Sequence, residues 1–260
     1  MALALQFLGT GTSVGVPQIG CRCPICLSSD PRDKRRRSGV YVRAGETAFV
    51  IDTPPEFRLA CLELGIDRVD AVVLTHAHMD HVSGFDDVRR FNTLNGGTVM
   101  RCYAAPETVA SMRQLFPYIS TRPNKLGLYR PMIDFRPVTR AFRIGSVKVT
   151  PLPVEHGGPR TNGYLIEAEG KRAAYVPDCC ALPPSVIRKV RGVDVMVLDC
   201  LRERPHPTHL SRERAEAYMK EIAPRRGFLI HMCHDLTHEQ WRARLPAPLE
   251  PAYDGLRVEC

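Results

Sequence analysis

Apolar and polar positions alternate in short runs along the whole chain, and most of the apolar runs are strand length. Ala2 to Leu8 reads as a strand ending at a glycine turn, and Val40 to Val42 with Thr47 to Ile51 as a hairpin around Gly45. Ala71 to Leu74 suits a strand buried on both faces. Val99–Ala104, Ile133–Val138, Ser146–Val154, Tyr164–Ala168, Ala173–Val176, Val193–Leu198 and Gly227–Ile230 are further strand candidates, with a last one near Leu256. Helices are placed by their boundary residues. Pro54 and Pro55 open one through Leu64, stopped by Gly65. Pro106 begins one to about Phe116, and Pro183 one to Arg191. Ser211 caps one to Ile222, with Arg214 where a capping box would carry Glu. Leu236 to Leu245 is the last helix, before the turn-rich stretch Pro246 to Pro251. No linker, repeat or compositional shift divides the chain, so residues 1–260 read as one domain. Strands come in two batches, each interleaved with helices. That pattern predicts an α/β fold of two sheets packed face to face with helices outside.

Composition narrows the class. Hydrophobic residues make up 44% and charged residues 25%, enough for a core without disulfide staples, which excludes a disordered tail, a collagen or a knottin. No apolar run approaches the ~20 residues that span a bilayer. Met1 to Leu8 lacks the basic start of a signal peptide, so the ten cysteines are expected in the cytoplasm and outside any disulfide framework. Cys61, Cys102 and Cys200 lie in apolar stretches and read as small packed hydrophobes. The net charge of +8 favours anionic ligands without choosing among them. Its densest stretch, Arg32 to Arg37, reads either as a solvated loop or as an anion-binding run.

The chemistry concentrates after Leu74, where Thr-His76-Ala-His78-Met-Asp80-His81 places three imidazoles and a carboxylate within six residues. Such side chains hold zinc, manganese or iron, and a strand end followed by a loop can converge several of them on one point. His156, Asp178 and His231 follow the same grammar, each after an apolar strand. Cys21, Cys23 and Cys26 put three thiols within six residues, which in a cytoplasmic chain suits zinc. Their spacing is tighter than a zinc ribbon and calls for a distant fourth ligand, for which Cys233 is one contender.

His76-x-His78-x-Asp80-His81, followed by His156, Asp178 and His231, resembles the metallo-β-lactamase-fold hydrolases over essentially the whole chain. The resemblance implies a four-layer αββα sandwich and a dinuclear centre. One ion would be held by His76, His78 and His156, the second by Asp80, His81 and His231, with Asp178 bridging. The start Phe7-Leu-Gly9-Thr-Gly11-Thr-Ser13, the Cys loop and the close Ala252-Tyr-Asp254-Gly255 are similar to the phosphodiesterase branch that includes ribonuclease Z. They are most similar to the phosphoribosyl cyclic phosphodiesterases of carbon–phosphorus lyase pathways. That family implies a structural zinc on Cys21, Cys23, Cys26 and His234. It also implies that His209 faces the scissile phosphate, where an imidazole can protonate a leaving alkoxide. Asp80 and Asp178 would orient the nucleophile.

The expected reaction is therefore metal-dependent hydrolysis of a small phosphodiester, such as a ribose cyclic phosphate or nucleotide. Two divalent ions, zinc or manganese, would serve the active site and one zinc the Cys loop. The implied partners are a small phosphorylated substrate, with nucleic acid allowed but not favoured, no membrane, and a homodimer allowed. A ribonuclease would need an RNA-gripping arm, and no comparable insertion is present. Thioester or lactam hydrolysis, and a zinc-stabilised nucleic-acid-binding protein without turnover, are the remaining rivals. Asp52 is expected either to bond a ligand histidine or to cap a turn. Gly9 to Gly15 lacks the Lys-Ser/Thr of a phosphate-binding P-loop. His206 reads as a positioning residue and His238 as a surface helix residue. Residues between Asp86 and Ile144 depart most from the family, and they are where a substrate pocket is expected.

Overall fold

The computed structural model describes residues 3–121, 129–158 and 160–260; Ala2, at the start of the expected first strand, lies outside them. In chain order the strands are β1 (Ala4–Gly9), β2 (Gly39–Ala44), β3 (Thr47–Ile51), β4 (Ala71–Val73), β5 (Met100–Ala104), β6 (Ile133–Pro137) and β7 (Phe142–Ile144). They continue with β8 (Val147–Val154), β9 (Thr161–Ala168), β10 (Lys171–Val176), β11 (Val195–Asp199), β12 (Arg226–Ile230), β13 (Leu249–Pro251) and β14 (Arg257–Glu259). The helices are α1 (Phe57–Glu63), α2 (Met79–Val82), α3 (Arg89–Leu94), α4 (Pro106–Leu115), α5 (Pro184–Val190), α6 (Arg212–Ile222) and α7 (His238–Arg244).

Among the described residues these strands form two sheets of seven, ordered β14-β1-β2-β3-β4-β5-β6 and β13-β12-β11-β10-β9-β8-β7. Each sheet is antiparallel on one side and parallel on the other. β3 to β6 run parallel in the first and β10 to β13 in the second. Alternation assigns the faces. In β3, Phe49 and Ile51 point into the core between the sheets, while Ala48 and Val50 pack outward on the helix side. In β11, Val195 and Val197 face the other sheet, and Met196 and Leu198 face α5, α6 and α7. Both faces are therefore buried, which is why these strands read as unbroken apolar runs. Each large side chain so covered, such as Phe49, Tyr164 or Phe228, contributes about 1.5–3 kcal/mol. The four layers are helix, sheet, sheet, helix, as expected.

Differences from expectation are local. α1 begins at Phe57, because Pro54 to Glu56 form the turn that enters it. β7, α2 and α3 were not anticipated. The Pro246–Pro251 stretch contains β13, which extends the second sheet beside β12. α7 carries a full capping box, Thr237 with Gln240. No helix among the described residues is long and apolar enough to cross a membrane.

The parallel halves aim chemistry at one end. Asp52 follows β3, His76 follows β4, Asp178 follows β10, Asp199 ends β11 and His231 follows β12. β8 and β10 both run antiparallel to β9, so His156, after β8, emerges at the same end as Asp178. Open α/β sheets place ligands at the carboxyl ends of such strands.

Candidate metal centre

The loop after β4 turns at once into α2, so His76 and His78 precede the helix while Asp80 and His81 lie within its first turn. Gly84 ends this unit where a Cβ would sit 2.2 Å from the Pro54 carbonyl oxygen, so only glycine lets α2 pack this closely. His76, His78 and His156 bring ligand atoms within 4.8 Å of one another, as do Asp80, His81, Asp178 and His231. Asp178 lies between the two groups. Its Oδ2 is 3.4 Å from His156 Nε2 and 4.0 Å from His76 Nε2, and its Oδ1 is 3.3 Å from His81 Nε2 and 3.2 Å from His231 Nδ1. Every active-site ligand expected from the sequence falls in these two groups.

His76, His81 and His156 are each held through the ring nitrogen opposite the one that approaches Asp178. Asp52 accepts from His81 Nδ1–H at 2.7 Å, and from both the backbone N–H and the hydroxyl of Thr75 at 2.8 Å. The Thr75 oxygen in turn accepts from His76 Nδ1–H at 3.0 Å. One carboxylate thus orients a histidine in each group, which settles the two sequence readings of Asp52 in favour of ligand support. His156 Nδ1–H donates to the Thr208 carbonyl at 2.9 Å, and His231 Nδ1 lies 3.2 Å from the Ser38 hydroxyl. Asp52 and His231 adopt φ of 65° and 64°, left-handed conformations unusual for such residues, as backbone forced to present a side chain often does.

The electrostatics call for cations. Burial holds His76 and His156 below the usual imidazole range and His231 at about 3, leaving neutral rings with free lone pairs, the form that binds metal. Burial pushes Asp80 and Asp178 up, but the hydrogen bonds and charge of His81, with the charge of His231, hold both well below the carboxylate range. His81 goes the other way: against its burial, Asp178 and Asp52 raise it, drawing positive charge to where the carboxylates face inward. Three buried atoms of these residues, His81 Nε2, His231 Nε2 and Asp178 Oδ1, have no hydrogen-bond partner among the described residues. Buried polar groups are rarely left so, and divalent ions fit this donor set.

His209 completes the rim. Its ring stacks on His231 with centroids 4.6 Å apart and meets the edge of His156 at 4.8 Å. Its Nδ1–H donates to Asp199 Oδ2 at 2.8 Å, and the same oxygen accepts the Cys179 N–H at 2.8 Å. Burial lowers the His209 pKa, but the Asp199 carboxylate outweighs it and raises the ring above its usual range. Asp199 was missed in the sequence, although it follows the same pattern of apolar strand and then carboxylate. Ser38, Thr75 and Thr208 had no local signal.

The second cluster gathers Cys21, Cys23, Cys26 and His234. His234 Nδ1 lies 3.4, 3.4 and 3.2 Å from their sulfurs, and Cys233 is buried outside the cluster. The Cys26 N–H donates to Cys23 and holds that thiol near 6, toward the thiolate that zinc prefers. The arginine run fits neither sequence reading. Arg35 is buried and donates to Thr10 Oγ1 and the Ala252 carbonyl, while Arg32, Arg36 and Arg37 are ion-paired to Asp30 and Glu239, Glu63, and Glu56. His238 is 4% exposed, not a surface residue, because the Asp33 carboxylate draws its backbone N–H inward at 2.6 Å.

A family model described as the β-lactamase superfamily domain matches residues 47–232. A solved structure described as a new diphosphatase from the PhnP family superposes with a TM-score of 0.91 at 36% identity, covering 100% of this chain and 98% of the other. An octanoyltransferase of Porphyromonas gingivalis is 33% identical over 257 residues, 96% of this chain but 50% of its own length. The chain therefore spans about half of that protein. Coenzyme PQQ synthesis protein B of a Methylobacterium species is 31% identical over 217 residues, 74% of this chain and 71% of that protein. Since the family model covers most of the chain and the diphosphatase aligns along all of it, this chain belongs to the metallo-β-lactamase-fold hydrolases, in the PhnP branch.

Proposed function

We propose that the chain hydrolyses small phosphodiesters with two divalent ions at the paired clusters, ribose cyclic phosphates and nucleotides being the substrate class. The observation that carries this reading is His209, oriented by Asp199 and set against His156 and His231. A hydrolase of carbonyl substrates with good leaving groups has little use for an imidazole held as an acid here; an alkoxide leaving from phosphorus does. His76, His78 and His156 would hold one ion, and Asp80, His81 and His231 the other, with Asp178 shared. Zinc or manganese in these positions supplies Lewis acidity toward phosphoryl oxygens and activates the attacking water. Asp80 and Asp178 orient the nucleophile by accepting its hydrogen. Asp52 and Thr208 keep His81 and His156 from turning. His209 gives its Nε2 proton to the leaving oxygen, while Asp199 stabilises the ring in the protonated state. Cys21, Cys23, Cys26 and His234 would hold a structural zinc that ties the N-terminal loop to the loop after β12.

The diphosphatase relative supports a second reading, cleavage of a P–O–P bond by the same groups. Metal-loaded protein assayed on nucleoside cyclic phosphates, bis(p-nitrophenyl) phosphate, a dinucleoside diphosphate, a tRNA precursor and a thioester tests both. Turnover of small phosphorus esters or diphosphates is expected. Turnover of the thioester alone, or of RNA alone, overturns the reading.

A further inference from the structure

The segment between β11 and α6 carries more than His209. His206 lies beside it, ring centroids 5.3 Å apart. Its tautomer is set locally. The Thr208 N–H donates to His206 Nδ1 at 3.4 Å, and the Thr208 hydroxyl lies 3.2 Å from the same nitrogen. With Nδ1 accepting, the neutral ring carries its proton on Nε2 and is a hydrogen-bond donor there. Thr208 also accepts from ligand His156 through its carbonyl, so a single residue fixes His206 relative to the centre. Gly157, at φ 71°, leaves room for this contact; a Cβ there would meet the Thr208 methyl at 2.5 Å.

Arg202, at the start of the same segment, supplies charge. Its guanidinium donates to the carbonyls of Arg204 at 3.4 Å and Pro205 at 3.1 Å, and it has no carboxylate partner among the described residues. The neighbouring acid, Glu203, is taken by Arg212 and Arg244. Arg204 faces Asp235 at 3.7 Å. The charge of Arg202 bears on His206. The segment that bears His209 therefore offers a fixed neutral donor beside that ring and, at the Pro205 carbonyl next to the donor, a cation without a carboxylate partner among the described residues, both half-buried.

We propose that His206 and Arg202 form an outer subsite for a second phosphoryl group of the substrate, adjoining the scissile one. The subsite rests on the phosphorus-ester reading above and makes that reading narrower: the substrates it favours carry two phosphoryl groups. Hydrogen bonds to a charged group discriminate by about tenfold or more.

Calorimetric titration of zinc-loaded protein with AMP and with α,β-methylene-ADP, which cannot be cleaved between its phosphorus atoms, tests this without depending on turnover. The wild type is expected to bind the diphosphate analogue about tenfold more tightly than AMP. His206→Ala and Arg202→Met should each bring the two affinities together, with metal content by elemental analysis unchanged, and His206→Gln, which keeps an N–H donor, should restore part of the difference. A wild type that binds the two ligands equally overturns the subsite. So do variants that weaken both ligands by the same factor, which would leave His206 as a support for His209 only. Either result leaves the hydrolysis of phosphorus esters standing, since that is read from wild-type turnover. Should His206→Ala fold poorly, Arg202→Met decides.

Discussion

His209 and Asp199 share one hydrogen bond of 2.8 Å, and that bond separates a proton donor from a bystander. Seven other side chains make up the two candidate ion sites, although His209 also comes within ligand reach of His156 and Asp178. His209→Ala is therefore expected to keep its metals and lose roughly 10²–10⁴ in turnover, the contribution of a positioned acid. Asp199→Asn should lose less, because the ring remains but its protonated form is no longer favoured. Both losses should be smaller on a p-nitrophenyl ester, whose phenolate leaves without a proton, than on a ribose alkoxide. Equal losses on the two leaving groups would assign the pair to charge stabilisation instead. In the other cluster, Cys23→Ser should release one zinc and lower the melting temperature while the active-site ions stay bound. Unchanged zinc and unchanged melting would remove the structural site. The side chains that gather in the two clusters were legible in the sequence, because four of them fall between His76 and His81 and the rest repeat one pattern, a strand followed by a histidine or carboxylate. Ser38, Thr75 and Thr208 were not, because their roles arise from hydrogen bonds, two of which span 52 and 193 residues of chain.

Elements buried on both faces announced themselves as apolar runs, and β3, β4, β11 and β12 fall where the pattern places them. The missed ones are short. β7 has three residues, α2 four and α3 six, too few for a period of two or of 3.6 to repeat. α7 was located, but the environment of its first residue was misread. A histidine at the start of a polar helix looks solvated, whereas His238 is turned in against Tyr253, ring centroids 5.5 Å apart. Burial and the charges of Arg35 and Arg32 lower its pKa to about 4. The folded chain thus binds fewer protons at His238 than the unfolded chain between about pH 4 and the ordinary value near 6.5, so stability rises with pH across that window and is lost as pH falls through it. Urea unfolding at matched metal concentration should show a flatter acid limb for His238→Gln than for the wild type. Identical slopes would mean that the ring titrates as it does in the unfolded chain.

The two sheets meet at the metal centre. His76, His78, Asp80 and His81 come from the first sheet, and His156, Asp178 and His231 from the second. Ions bound between them would bridge both halves of the sandwich, so their binding free energy adds to folding stability. The Cys cluster brings the 21–26 loop against His234, just beyond His231, and so joins a third part of the chain to the same end. Metal number and its link to turnover decide whether the paired clusters work as a two-ion centre. Chelator-stripped protein reloaded one equivalent at a time, with elemental analysis and phosphodiester turnover read at each step, measures both. Three ions per chain are predicted, with the Cys-site zinc the hardest to remove and turnover appearing only as the two remaining positions fill. Full turnover with a single ion per chain, or with none, would contradict the account.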